Sequence, residues 1–119
     1  MKLMHITIAV RDLEESLKFY RDILGLPLQR RFPSGDAEIA FLGDGETVIE
    51  LLYSSARADV SFSADISLGF AVASLTETTA ELQRKGIEVG DILQPNPHVR
   101  FAFITDPNGL RIQFVESIQ

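Results

Sequence analysis

Cysteine is absent from the 119 residues, which excludes disulfides, thiolate-based zinc sites and cysteine nucleophiles together, while leaving the redox compartment open. Long apolar runs are missing as well. None approaches the ~20 residues needed to cross a bilayer, and His5 and Arg11-Asp12 interrupt what would be the apolar core of a signal peptide. A cytoplasmic location is therefore expected, with no membrane as partner. Basic residues are in the minority, 11 Lys and Arg against 17 Asp and Glu, for a formal net charge of -6 and a pI near 4.8. Such a surface repels nucleic-acid backbones and anionic membranes, and it accommodates neutral or cationic ligands more easily. The chain also lacks a P-loop, a G-x-G-x-x-G turn, a G-x-S-x-G elbow and a basic aromatic platform. What is present is the material of a globular core. Hydrophobic residues make up 45% and charged residues 24%, and a chain of this length buries roughly two-thirds of its unfolded surface as one domain.

The chain contains itself twice. His5-Ile6-Thr7-Ile8-Ala9-Val10-Arg11-Asp12-Leu13 returns as Ser67-Leu68-Gly69-Phe70-Ala71-Val72-Ala73-Ser74-Leu75, displaced by 62 positions from 5 to 67. The same displacement relates Ala40-Phe41-Leu42-Gly43-Asp44 to Ala102-Phe103-Ile104-Thr105-Asp106. One extra residue in the second turn then sets Ile49-Glu50-Leu51-Leu52 against Ile112-Gln113-Phe114-Val115. Self-similarity on this scale marks a duplicated supersecondary unit. It also makes polar positions equivalent in pairs, His5 with Ser67 and Glu50 with Gln113.

Each copy reads as strand, helix, strand, strand, strand. Leu3 to Val10 alternates Met4, Ile6, Ile8 and Val10 with His5, Thr7 and Ala9, the pattern of a strand with one apolar face. Asp12, followed by Glu15 three residues on, is a helix N-cap. Leu13, Leu17, Tyr20 and Leu24 then recur at helical spacing until Gly25. Ser74, Glu77, Leu75, Leu82 and Gly86 repeat the device. A strand is expected after each helix, followed by a hairpin. Ile39–Leu42 turns at Gly43-Asp44-Gly45 into Thr47–Tyr53, and Phe101–Ile104 turns at Asp106-Pro107-Asn108-Gly109 into Leu110–Glu116. Ser54 to Asp65, rich in Ser, Ala and Asp, is the expected linker between modules at about 1–55 and 66–119 of a single domain.

Glu50 lies in the apolar stretch Val48-Ile49-Glu50-Leu51-Leu52, where an unpaired buried carboxylate would cost several kcal/mol. It must therefore face solvent, a partner or a metal. Gln113 holds the equivalent place in Arg111-Ile112-Gln113-Phe114-Val115, so four pseudo-symmetric polar positions suggest one shared cavity. Imidazole and carboxylate are good ligands for a divalent cation, and a neutral serine hydroxyl is a poor one. His5 and Glu50 are thus the stronger candidates and Ser67 the weaker. Arg111, two residues from Gln113 and on the same strand face, is a candidate anchor for a ligand anion or else an exposed strand arginine. His98, in Pro95-Asn96-Pro97-His98, reads as a surface-loop residue that could act as a lid or proton donor over a pocket.

The segments Met4–Leu13, Ser16–Leu26 and Asp106-Pro107-Asn108-Gly109 together resemble the vicinal oxygen chelate superfamily, which includes glyoxalase I, bleomycin resistance proteins, methylmalonyl-CoA epimerase and extradiol dioxygenases. The resemblance covers the whole chain. It implies an α+β fold of two paired βαβββ modules forming a cupped mixed sheet around a cavity, with the helices outside. It also implies a homodimer and a small-molecule ligand. A divalent metal (zinc, nickel, cobalt, manganese or iron) would be held at the places of His5, Glu50, Ser67 and Gln113, with a metal-free protein as the alternative. His5 and Glu50 match that pattern, Gln113 matches in part and Ser67 departs from it. One anionic ligand remains, so metal affinity is expected to fall. Gln113 cannot accept a proton at neutral pH, which leaves Glu50 as the catalytic base of any glyoxalase-like proton transfer. The expected function is a small-molecule binding protein with a degenerate metal site. The alternatives are a metal-dependent lyase or isomerase liganded by His5, Glu50 and Gln113, and an interaction module whose cavity has closed.

Overall fold

The computed structural model describes residues 1–57 and 59–119. One residue of the expected linker, Ala58, lies outside the described residues. The chain divides into two compact units, Met1–Ser61 and Phe62–Gln119.

In the first unit, β1 (His5–Val10) leads into α1 (Leu13–Leu17), a π-helical segment (Lys18–Ile23), β2 (Leu28–Ser34), β3 (Ala37–Leu42) and β4 (Val48–Ser54). The four strands form one sheet in the order β1-β4-β3-β2. β1 runs parallel to β4 and the other pairs are antiparallel. The second unit repeats this with β5 (Ser67–Ala71), α2 (Leu75–Arg84), β6 (Leu93–Asn96), β7 (Val99–Thr105) and β8 (Arg111–Ser117), in the order β5-β8-β7-β6. The expected α+β class with two βαβββ modules is what the chain adopts. No helix among the described residues is long and apolar enough to cross a membrane.

Period-two alternation gives each sheet two unlike faces. On one lie Ile8, Val10, Ala40, Leu42, Ile49 and Leu51, all buried, together with the buried helical residues Leu13, Ser16 and Leu17. Leu68, Ala102, Ile104, Ile112 and Phe114 form the corresponding core of the second unit with Leu75 and Leu82 of α2. The opposite face, here called distal, carries His5, Thr7, Glu50, Phe41, Arg30 and Phe32 in the first unit, and Ser67, Gly69, Arg111, Gln113 and Phe103 in the second.

Both predicted N-caps form. Asp12 Oδ1 accepts from the Glu15 N–H at 3.0 Å and Ser74 Oγ from the Glu77 N–H at 3.2 Å. The reciprocal half of the first capping box does not form, because the Glu15 carboxylate pairs instead with Arg11 at 2.9 and 3.1 Å. The first helix also departs from the simple α-helix expected up to Gly25. After Leu17 it widens, and the Leu24 N–H donates to the Phe19 carbonyl, an i to i−5 closure at 3.0 Å. Phe19 and Tyr20, consecutive in sequence, are both buried and meet edge to face at 4.9 Å. Gly25 and Gly86, at φ +79° and +82°, then end the two helical stretches in the left-handed region that glycine adopts freely.

The second hairpin turn is held by one side chain. Asp106 Oδ1 accepts the buried Asn108 and Leu110 N–H groups, each at 2.8 Å, while the Asp106 N–H donates to the Leu110 carbonyl. Asp44, its counterpart in the first copy, is exposed.

Candidate functional site

The parallel pairing of β1 with β4 sets Thr7 beside Glu50 and His5 beside Val48. All four point to the distal face, so His5 and Glu50, two residues out of register, are diagonal neighbours. His5 Nε2 stands 3.5 Å from Glu50 Oε1. The Thr7 hydroxyl donates a short hydrogen bond to the same oxygen. Glu50 is held in part-buried surroundings, its side chain 15% exposed, and Oε2 is left without a protein donor among the described residues. Phe41, the next partner across the sheet, meets the His5 ring edge to face at 5.8 Å.

His5 Nδ1 is buried and has no hydrogen-bond partner among the described residues. A buried lone pair is less costly than a buried unsatisfied N–H, which favours the tautomer carrying its proton on Nε2, toward Glu50.

β2 completes the first unit's distal face. Arg30 pairs with Phe41 in the ladder, and its guanidinium carbon lies 4.7 Å from the Phe41 ring centroid and 5.2 Å from that of Phe32. The two rings are near parallel, 6.2 Å apart. Arg31, its sequence neighbour, points to the helix-bearing face and is fully engaged with Glu38 and Glu14, both at 2.6 Å. The hydrogen bonds it donates to Glu38, first, and to Glu14 raise its pKa. Arg30 pairs with no carboxylate among the described residues.

In the second unit, Gln113 pairs with Gly69 on one side and Phe103 on the other. Its Oε1 is 3.5 Å from where a Cβ on residue 69 would sit, so the missing side chain of Gly69 leaves that amide room. Ser67, beside Arg111 in the ladder, is exposed. Arg111 lies over the Phe103 ring at 4.0 Å and donates to the Ala64 carbonyl at 3.5 Å. It also lines an open cavity of about 530 Å³ with Ile87, Glu88, Gly90, Phe103 and Thr105. Arg111, Ser67 and Gln113 thus share one face. His98 is not among them. It is exposed on the β6–β7 turn, its N–H donating to Asn96 Oδ1 at 2.8 Å, and five residues of strand, about 16 Å, separate it from Phe103.

On the helix-bearing face of the same unit, Glu116 accepts from the Leu75 N–H at 2.7 Å and from Arg100 at 2.8 Å. These two bonds, the backbone one foremost, hold its carboxyl below the usual 4.5.

Two side chains of the right kind for a divalent cation therefore meet in the first unit, the His5 imidazole and the Glu50 carboxylate. The remainder of the donor chemistry does not fit a closed site. Ser67 and Gln113 are neutral, no group of three or more His, Asp or Glu side chains comes together among the described residues, and His5 lacks the hydrogen bond through its second nitrogen that usually orients a ligating imidazole.

The model of the Glyoxalase/Bleomycin resistance protein/Dioxygenase superfamily matches residues 2–114. The chain belongs to that superfamily. Within it, the chain is 35% identical to a probable lactoylglutathione lyase of Synechocystis, over 98% of its length and 96% of the relative's. It is 33% identical to the lactoylglutathione lyase of Neisseria meningitidis serogroup A, over 98% and 91%. Among solved structures, the trypanothione-dependent glyoxalase I of Leishmania major superposes with a TM-score of 0.83 at 24% identity, over 98% of this chain and 86% of that one, a likeness of fold.

Thr7, Arg30 and Phe41 are the site residues that sequence reasoning did not single out. Thr7 could have been found, being two positions from His5 on the same strand face. Phe41 could have been found as the counterpart of Phe103 in the repeat. Arg30 carries no local signal, because its place beside Phe41 depends on strand register.

Proposed function

We propose that this superfamily member binds a small organic ligand at the distal face, with Glu50 as acceptor and His5 as donor, in the manner of the family's sequestering members rather than by metal-dependent turnover. The observation that carries this is the donor inventory. His5 and Glu50 meet at 3.5 Å, whereas the equivalent places in the second module are Ser67 and Gln113, with neither imidazole nor carboxylate. Ligand binding needs only the first arrangement. A catalytic divalent-metal centre usually draws on three such protein ligands, and of these four positions only His5 and Glu50 supply an imidazole or a carboxylate. On the second module's own distal face, Ser67 and Arg111 are the candidate ligand contacts, with His98 outlying on the β6–β7 turn. One domain of two repeated modules, associating as a homodimer in the cytoplasm, is the form expected for it.

The second reading is a lactoylglutathione lyase-like enzyme, favoured by the names of the relatives at 33–35% identity over nearly the whole chain. The candidate ligands for a divalent ion would then be His5 and Glu50 in the first module and Gln113 in the second, and Glu50 would serve as base. Titrating nickel, cobalt and zinc into wild type and His5→Ala, with assay of the hemithioacetal of methylglyoxal and glutathione, separates the two. Sequestration predicts no stoichiometric metal dependent on His5 and no turnover. Stoichiometric metal lost in His5→Ala, with metal-dependent turnover, would replace it by the lyase reading.

A further inference from the structure

Across the first sheet, Thr7, Glu50, Phe41 and Arg30 form one transverse row, each residue the ladder partner of the next. The row is polarised. At one end Glu50 Oε1 is occupied by Thr7 and faces His5, while Oε2 remains an acceptor. At the other end stands a guanidinium with no carboxylate partner among the described residues, laid on two phenyl faces. A guanidinium over phenyl rings keeps its N–H groups for other acceptors, and its planar fork suits a bidentate carboxylate. The contrast with Arg31, which meets two glutamates, is that Arg30 meets none, the carboxylate of its own row, Glu50, lying beyond Phe41.

Strand spacing sets the scale. Two strand intervals separate the Arg30 and Glu50 backbones, about 10 Å, and the guanidinium closes part of that by leaning over Phe41 at 4.7 Å. After one hydrogen-bond length of about 3 Å at each end, only a few bonds of ligand fit between. Glu50 asks for a donor and Arg30 for an anion. We infer that the distal face of the first module takes a short hydroxycarboxylate, its carboxylate on Arg30 and its hydroxyl donating to Glu50, with Phe41 beneath the carbon chain. This rests on the ligand-binding reading above and gives it a substrate class. An oxo acid lacks the donor that Glu50 requires, and an uncharged amide lacks the anion.

The chain has two histidines, so its imidazole proton spectrum holds two Cε1–H lines, that of His5 and that of His98, which is exposed on the β6–β7 turn. Titration of the full chain with lactate, pyruvate and lactamide tests the inference. Lactate is expected to shift the His5 line saturably, with pyruvate and lactamide weaker. Arg30→Gln and Arg30→Lys should weaken lactate binding about tenfold or more, because a charge-assisted bidentate pair and its stacked geometry are lost. Arg30 is exposed, and an unchanged amide spectrum for Arg30→Lys would exclude misfolding as the cause. Equal affinities for lactate and lactamide, untouched by either variant, would overturn the role of Arg30 and leave a ligand site at His5 and Glu50. Absence of any His5 shift with the carboxylates would overturn the hydroxycarboxylate assignment, while the ligand reading keeps its own test in the metal and turnover experiment.

Discussion

Replacing Asp106 by alanine removes the acceptor from two buried donors at once. Its Oδ1 receives the Asn108 and Leu110 N–H groups at 2.8 Å each, and both residues are buried, Leu110 to 2% exposure. Each donor left without a partner costs about 1–3 kcal/mol, so the expected destabilisation is about 2–6 kcal/mol, a large share of the roughly 5–15 kcal/mol that holds a domain folded. For a chain of this size that corresponds to a fall in Tm of roughly 8–24 °C. Urea denaturation followed by far-ultraviolet circular dichroism, with m unchanged, measures it directly. Asp106→Asn keeps an acceptor oxygen but loses the charge, and should show about half the loss. Asp44→Ala is the internal control. It removes the repeat-equivalent carboxylate, which is exposed, and should stay within about 0.5 kcal/mol of wild type. A loss below about 1 kcal/mol for Asp106→Ala, or equal losses for the two alanine variants, would refute the assignment of the turn's stability to this side chain.

Three further outcomes are expected. The Glu116 carboxyl is held below 4.5, first by the Leu75 N–H and then by Arg100, so its contribution to stability is present above pH 4.5 and lost as pH falls through the depressed folded value. Glu116→Gln should therefore be less stable than wild type at pH 7 and converge on it below pH 4.5, and a gap that stays constant down to pH 2 would contradict the assignment. Gly86→Ala, at φ +82°, should cost about 1–2 kcal/mol in thermal unfolding, since nothing but backbone conformation opposes it. Leu51→Ala, fully buried on β4, should cost about 2–5 kcal/mol by the same assay, whereas Glu50→Gln, one position away on the other face, should alter ligand affinity more than stability.

Much of the fold was legible because its signals are local. The alternation of Ile6, Ile8 and Val10 with His5, Thr7 and Ala9 placed β1, although the strand begins at His5 rather than Leu3. Asp12 and Ser74 announced the helix starts, and their caps formed as read. The π-helical turn at Lys18–Ile23 was not legible, since a span of about one turn is too short to separate its period from that of an α-helix. The His5 and Glu50 pairing emerged from the repeat, which made two isolated polar residues into equivalents of Ser67 and Gln113. Arg30 over Phe41 could not be read in the same way. Its partner lies across a ladder with a register shift between Leu28 and Arg30, and a displacement of one residue would have turned Arg30 to the helix-bearing face.

The two-faced sheets also bear on how such a protein can change. At repeat-equivalent positions on the distal faces, Val48 stands where the second module has Arg111, and His5 where it has Ser67. On the helix-bearing faces, Ile49 answers Ile112 and Ala40 answers Ala102 without a change of type. After duplication, the residues that hold each module together kept their character while several of those facing away from the helix, though not Phe41 and Phe103, diverged in charge and chemistry. Recognition can therefore drift in steps of single distal-face substitutions while the folding free energy, lodged on the other side of the same strands, is left largely undisturbed.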